Sequence, residues 1–336
     1  MVEKNQNIKT DNFDKIISLI ENARQNVQQK VNEELINLYY KVGEFLSAES
    51  AVHSYGDAYI DAMSDFITSQ YPDLKGFTRR GLYRMRQFYE AYKDDVIVST
   101  VLTQLGWSNH LKILSRTKSA EERHFYITTA IKEHYSAREL DRQITAMRYE
   151  RSTISEKSRE NLPIPHEIKK QFLDSYVFDV LNLPSRYSEK TLQKTIVKNL
   201  KDFILEIGKD FSFVGEEYRV QVGDSDFFID LLFYHRGLSC LVAFELKITE
   251  FKPEYIGKMN FYLEALDREH RKENENPSVG IILCADKNDE IVEFSLSRNL
   301  SPVLVAEYTS KLPDKKLLQN KLRELTELAE AGERDE

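Results

Sequence analysis

The sequence predicts an α/β protein in two parts: an all-helical amino-terminal region, then a core of mixed sheet flanked by helices. Three observations carry this. Apolar residues recur at helical spacing as far as Glu150. The polar, aperiodic tract from Arg151 to Asn161 then ends in Leu162-Pro163-Ile164-Pro165, whose prolines no helix interior accommodates. Beyond it the order becomes helix, three β-rich runs, helix, strand. These breaks place a helical domain at 10–150, a linker at 151–165 and the α/β domain at 166–336.

Taken in order, Asn12 to Ala48 reads as a long amphipathic helix with Ile16, Ile17, Leu19, Ile20, Val31, Leu35, Ile36 and Leu38 as apolar members, and Tyr55-Gly56 marks its end. Helices follow at Ala58 to Ser69, Thr78 to Tyr92, Asn109 to Ser115, Ala120 to Glu133 and Ala137 to Glu150, the last after a Ser136 cap. In the second part, Leu192, Ile196, Leu200, Phe203 and Ile207 line one face of a helix from Glu189 to Gly208, with the glycine as its stop. Strands are expected at Ser212 to Val222, Phe227 to Tyr234 and Ser239 to Ile248. Pro253 then opens a helix through Leu266, strands follow at Ser278 to Ala285 and Pro302 to Tyr308, and Leu317 to Ala331 forms a closing helix.

A chain of 336 residues can bury a sizeable core, and 41% hydrophobic with 30% charged residues describes an ordinary globular protein. No apolar run reaches membrane-spanning length and the start, Met1-Val2-Glu3-Lys4, lacks a secretory core, so a cytoplasmic location with no membrane partner is expected. Cys240 and Cys284 each sit in an apolar strand-like run and read as buried free thiols. The net charge of −8 excludes a uniformly basic coat but leaves room for local patches. One such patch lies on the helix capped by Thr78: Arg80 and Arg84 fall opposite its buried stripe of Leu82, Met85, Tyr89 and Tyr92, with Arg79 and Arg86 flanking it. That face could bind phosphates or simply be solvated.

The chemistry concentrates in two apolar strands that carry charge, Phe227 to Tyr234 with Asp230, and Cys240 to Lys247 with Glu245 and Lys247. Burying bare charge is costly, so such groups point to a site. A tight hairpin at His235-Arg236-Gly237-Leu238 would set Asp230 opposite Ala243; side-chain alternation then puts Asp230, Glu245 and Lys247 on one face. Only an even loop does so. Two carboxylates about 4 Å apart repel by roughly 4 kcal/mol at an effective dielectric near 20, which a divalent cation relieves. Hard oxygen ligands favour magnesium or manganese. The alternative for an isolated Glu-x-Lys is a solvated ion pair, but the apolar flanks Leu241-Val242-Ala243-Phe244, Leu246 and Ile248 leave little room for one.

Asp230 with Glu245-x-Lys247 resembles the signature of the PD-(D/E)xK nuclease superfamily. Phe203-Ile204-Leu205-Glu206-Ile207-Gly208, Ile229-Asp230-Leu231-Leu232-Phe233-Tyr234-His235, Phe251-Lys252-Pro253-Glu254, Gly257-Lys258-Met259-Asn260-Phe261-Tyr262-Leu263 and Gly280-Ile281-Ile282-Leu283-Cys284 are similar to the YhcG-like nuclease family. Phe77-Thr78, Met85-Arg86, Phe88-Tyr89 and Leu105-Gly106-Trp107-Ser108 resemble its leading helical domain.

This resemblance implies a restriction-endonuclease-like core that hydrolyses phosphodiester bonds in nucleic acid, chiefly DNA. Asp230, Glu245 and the main-chain carbonyl of Leu246 would hold Mg2+, with Mn2+ as substitute, and Lys247 would orient the attacking water. Lys258 and Tyr262, one helical turn apart, would meet the phosphate, and Arg80 and Arg84, read from helical spacing, are separate candidates for substrate binding. Where the family pattern usually has glutamate this chain has Gln193, a weaker magnesium ligand, and Glu206 or Glu189 would be the additional acid. Two alternatives stay open: a weak or inactive nucleic-acid-binding or protein-interaction module, and a helical half whose main role is homo-oligomerisation through its long first helix.

Overall fold

In the computed structural model of the chain, the described residues are 11–52, 56–94, 101–160, 162–314, 316, 318 and 320. They divide into two compact units, Met1–Arg142 and Gln143–Glu336. No described helix is long and apolar enough to cross a membrane. The closing helix expected over Leu317 to Ala331 lies, apart from 318 and 320, outside the described residues.

The first unit is helical: α1 (Asp11–Val52), α2 (Gly56–Gln70), α3 (Arg79–Tyr92), α4 (Trp107–Arg116) and α5 (Ala120–Lys132), with α6 (Ala137–Thr145) at its end. Thr78 caps α3 as its sequence suggests, accepting from the Gly81 amide at 3.3 Å. Tyr39, Leu46, Ile60, Leu82 and Met85 form the core where α1, α2 and α3 meet. Gly43 permits the close crossing of α1 and α3, since a Cβ there would collide with the Met85 carbonyl. Of the apolar residues expected on α1, Ile36 is buried, whereas Ile16, Ile17, Leu19, Ile20, Val31 and Leu38 are exposed.

The single helix expected from Ala137 to Glu150 is two. Met147 adopts a left-handed conformation (φ 55°), ending α6 and starting α7 (Arg148–Ser158). The Arg151 Nε–H reaches back to the Ala146 carbonyl at 2.8 Å, satisfying an acceptor the break strands. The tract 151–165, expected as an aperiodic connection, thus begins inside α7, and two of its arginines are buried rather than solvated. Arg159 donates to the Phe172 and Leu173 carbonyls at 2.7 and 2.8 Å. Polar character misleads here because guanidinium groups can serve buried carbonyls.

The rest of this unit comprises α8 (His166–Lys169), β1 (Ser175–Val177), α9 (Glu189–Lys198), α10 (Leu200–Ile207), β2 (Phe211–Val222), β3 (Ser225–His235), β4 (Cys240–Leu246), α11 (Glu254–Glu269), β5 (Val279–Cys284), α12 (Asp289–Leu296) and β6 (Val303–Thr309). The helix expected over Glu189 to Gly208 breaks at Asn199, whose side-chain amide donates to the Thr195 carbonyl at 2.9 Å. The sheet order is β1-β6-β5-β4-β3-β2. β2, β3 and β4 form an antiparallel meander, while β4, β5, β6 and β1 run parallel. Every residue of β5 is buried, as a central parallel strand covered on both faces requires. Both cysteines are buried and free.

The meander's register differs from expectation. Leu232, not Asp230, stands opposite Ala243, because the β3–β4 loop has four residues, 236–239. His235 shapes that loop: its Nδ1 accepts from the Leu238 amide at 3.0 Å, and Ser239 turns the chain with φ 48°. The slip is two residues, so parity is preserved. The ladder runs on from Leu231 opposite Phe244, which brings Asp230 level with Glu245 and on its face.

Candidate active site

Asp230 projects near the middle of β3, Glu245 from the end of β4, and Lys247 just past it, so two neighbouring strands already fixed by the sheet position the charges. β4 is buried along nearly its whole length, so Glu245 is carried into the interior at 1% exposure. Such a carboxylate needs partners. Its Oε1 accepts from Lys247 Nζ at 2.8 Å and from Lys258 Nζ, on α11, at 2.6 Å. Among the described residues its Oε2 is buried with no hydrogen-bond partner.

Asp230 Oδ2 accepts from the Leu246 amide at 2.7 Å. Its carboxyl is pushed up to about 6, first by burial and then by the charge of Glu245, against the pull of the Leu246 amide and of Lys247 and Lys258. The two acids therefore feel one another, as their common face dictates. Burial works against the charged form of Lys247, but its hydrogen bond and charge interaction with Glu245, together with Glu189 and Asp230, outweigh it and raise its affinity for the proton. Lys247 Nζ also donates to the Leu246 carbonyl at 3.1 Å and to Glu189 Oε2 at 3.3 Å, and lies 5.3 Å from the Tyr255 ring centroid.

α9 supplies the opposite wall. Glu189 reaches Lys247, and Gln193 donates from Nε2 to the main-chain carbonyl of Asp230 at 2.8 Å. Gln193 thus holds the strand that carries the acid, a contact not foreseen from sequence; its place one turn beyond Glu189 was the available signal.

The expected residues separate accordingly. The structure brings together Asp230, Glu245, Leu246, Lys247, Lys258 and Glu189. Tyr262 lies beside them, yet its hydroxyl donates to the Phe228 carbonyl at 2.7 Å, which ties α11 to β3 instead of facing outward. Glu206 is elsewhere. Beyond the break at Asn199 it is fully buried, and its Oε1 accepts from Arg151 at 2.7 Å and from the Val177 amide at 2.8 Å, so it serves α7 and β1. In the helical unit, Arg80 is exposed and Arg84 half-buried on the outer side of α3. Arg79 pairs with Asp61, and Arg79 and Arg86 lie 5.3 and 5.0 Å from the Tyr83 ring centroid.

Among the described residues no three His, Cys, Asp or Glu side chains cluster as a metal site. The donors at hand are two carboxylates and the Leu246 carbonyl. An orphaned buried carboxylate oxygen beside a second acid, in an all-oxygen set, suits a hard divalent cation.

Residues 169–323 match the family described as the YhcG PDDEXK nuclease domain, and residues 15–151 match the DUF1016 N-terminal domain. The chain is 32% identical to "Putative nuclease YhcG" of Escherichia coli (strain K12), over 96% of this chain and 95% of that protein. Among solved structures, a repair endonuclease from Pyrococcus abyssi aligns at 16% identity over 39% of this chain and 50% of its own, with a TM-score of 0.26. An EndoMS–dsDNA complex aligns at 17% identity over 40% and 48%, with the same TM-score of 0.26. This chain thus spans about half the length of those two.

Proposed function

Since the chain belongs to the YhcG family of PDDEXK nucleases, we propose that it is a magnesium-dependent endonuclease hydrolysing phosphodiester bonds in DNA, with manganese able to replace magnesium. The observation that carries this reading is the shared face of Asp230, Glu245 and Lys247, with one carboxylate oxygen of Glu245 buried and unpartnered. Asp230, Glu245 and the Leu246 carbonyl would hold the cation, whose chemistry is to offset negative charge on the phosphorane and leaving oxygen.

The remaining work falls to the chain's own groups. Lys247 keeps its proton because three acids surround it, and so acts as a fixed positive charge that orients the attacking water and favours its hydroxide form. Burial of the acids and the apolar wall of β4 lower the local dielectric, which strengthens that effect. Lys258 is more open to solvent than Lys247 and is the ammonium able to meet the scissile phosphate, while Gln193 and the Leu246 amide hold Asp230 in place. Arg80 and Arg84 supply sequence-independent phosphate contacts from the helical unit. Acting on DNA, the protein works in the bacterial cytoplasm.

A second reading, a nucleic-acid-binding or protein-interaction module with a weak or silent site, draws support from Gln193 standing where an acid would complete the ligand set. One experiment separates the two. Purified chain with magnesium and a panel of duplex, branched and single-stranded DNAs should cut at least one, and Asp230→Ala should not. Binding without cutting would establish the second reading, and equal cutting by both proteins would overturn the assignment of Asp230.

A further inference from the structure

Every residue of α1 from Lys15 to Val31 is exposed, and among the described residues the first side-chain hydrogen bond from α1 to a distant part of the chain is made by Asn32, to the Thr103 and Leu105 carbonyls. This arm is about 25 Å of helix at 1.5 Å per residue. A helix of that length draws little stability from its own hydrogen bonds and relies on covering an apolar face. Such a face exists. At 3.6 residues per turn, Ile16, Ile20, Ala23, Val27 and Val31 fall in one stripe about 80° wide. The four larger ones are 44–63% exposed.

We infer that this stripe is the seat of a second copy of the chain, with the two α1 arms packed antiparallel. Turning one helix end for end about the point between Ala23 and Arg24 sets Ile16 level with Val31 and Ile20 level with Val27, so the four larger apolar side chains meet in pairs, while the small Ala23 lies level with Arg24 at the centre of the crossing. The same rotation pairs opposite charges on one margin. Arg24 comes within about two residues, or 3 Å of rise, of Glu21 on the other arm. On the other margin Lys15 comes within about one residue of Glu33, which Lys30 of its own chain already holds at 3.1 Å, so that margin adds no new pair to the argument. Glu21 and Arg24 make no ion pair of their own among the described residues, which leaves them available for this contact. A face whose apolar and charged positions both complement themselves under a two-fold rotation matches an isologous dimer. An unrelated partner would call for no such symmetry.

Sedimentation of the full chain, followed by oxidative cross-linking, tests this. The wild type should sediment as a dimer, and Val27→Glu as a monomer with unchanged helical circular dichroism, since Val27 is 63% exposed. Arg24→Glu should weaken the dimer at least tenfold at low salt, and Glu21→Arg in the same chain should restore it. Chains bearing Ile16→Cys mixed with chains bearing Val31→Cys should cross-link, whereas Ile16→Cys alone should not; Cys240 and Cys284 are buried and do not interfere. A monomeric wild type, a dimer indifferent to Val27→Glu, or cross-linking of Ile16→Cys with itself would each overturn the inference. The first would leave the arm to another protein, the second would put the interface on another surface, and the third would make the helices parallel.

Discussion

Replacing Asp230 with asparagine should make the metal-free protein more stable while abolishing cleavage. The reason lies in the raised affinity of Asp230 for its proton. Burial and the charge of Glu245 shift the carboxyl from an ordinary 3.8 to about 6 in the folded chain. The folded state therefore binds that proton more tightly than the unfolded state, so stability is gained as pH falls through about 6 towards 3.8 and is lost as it rises. At about 1.4 kcal/mol per pKa unit the full shift amounts to roughly 3 kcal/mol near neutral pH, and solvent screening of a half-buried carboxyl brings it to about 1–3 kcal/mol. Asparagine removes the charge and keeps an oxygen for the Leu246 amide. Urea denaturation in chelator should show Asp230→Asn ahead of wild type by that margin at about pH 8 and level with it at about pH 4. Adding magnesium at about pH 8 should stabilise the wild type and leave the variant unmoved. A variant less stable than wild type at about pH 8, or a gain that does not shrink on acidification, would refute this reasoning.

Glu206 behaves differently: Glu206→Gln leaves Arg151 buried without its counter-charge and should cost about 3–5 kcal/mol in denaturation, yet leave magnesium affinity unchanged, the two measurements together separating a structural acid from a ligand. His110 is fully buried, its Nε2–H donates to the Leu102 carbonyl at 2.9 Å, its Nδ1 has no partner, and burial lowers it from 6.5 to about 4. The unfolded state thus takes up the proton first, so stability of the helical unit is full above 6.5 and falls by up to about 3 kcal/mol as pH drops towards 4, a slope that fluorescence of the single tryptophan, Trp107, should report and His110→Gln should flatten. Lys258→Gln removes one of two ammonium groups on Glu245 and should tighten magnesium binding about tenfold by calorimetry, near 1.4 kcal/mol, while slowing cleavage because the phosphate loses its cation.

Much of the fold could be read from the sequence because periodicity and turn chemistry are local. Thr78 caps its helix and the strands carrying Asp230 and Glu245 occupy nearly the expected residues. Parity, too, is a robust property: the hairpin loop is two residues longer than the sequence predicts, yet both acids share a face because the difference is even. What escaped is what depends on particular side-chain contacts. Met147 in a left-handed conformation and the helix break at Asn199 are fixed by Arg151 and by Thr195, and no spacing rule anticipates either. Glu206 is a candidate ligand through the family resemblance of its segment, but its environment comes from Arg151 and Val177, far away in sequence. Tyr262 falls on the expected helical face, and the Phe228 main-chain carbonyl on β3 claims its hydroxyl. β1, three residues long, is too short to announce itself.

The most direct test of the central claim is a manganese-soaked crystal of the full chain, examined by anomalous diffraction. A peak bonded to carboxylate oxygens of both Asp230 and Glu245, with the Leu246 carbonyl as a further ligand and Lys258 displaced from Glu245, is the result expected. Manganese bound elsewhere, with Lys258 still seated on Glu245 at saturating metal, would contradict it.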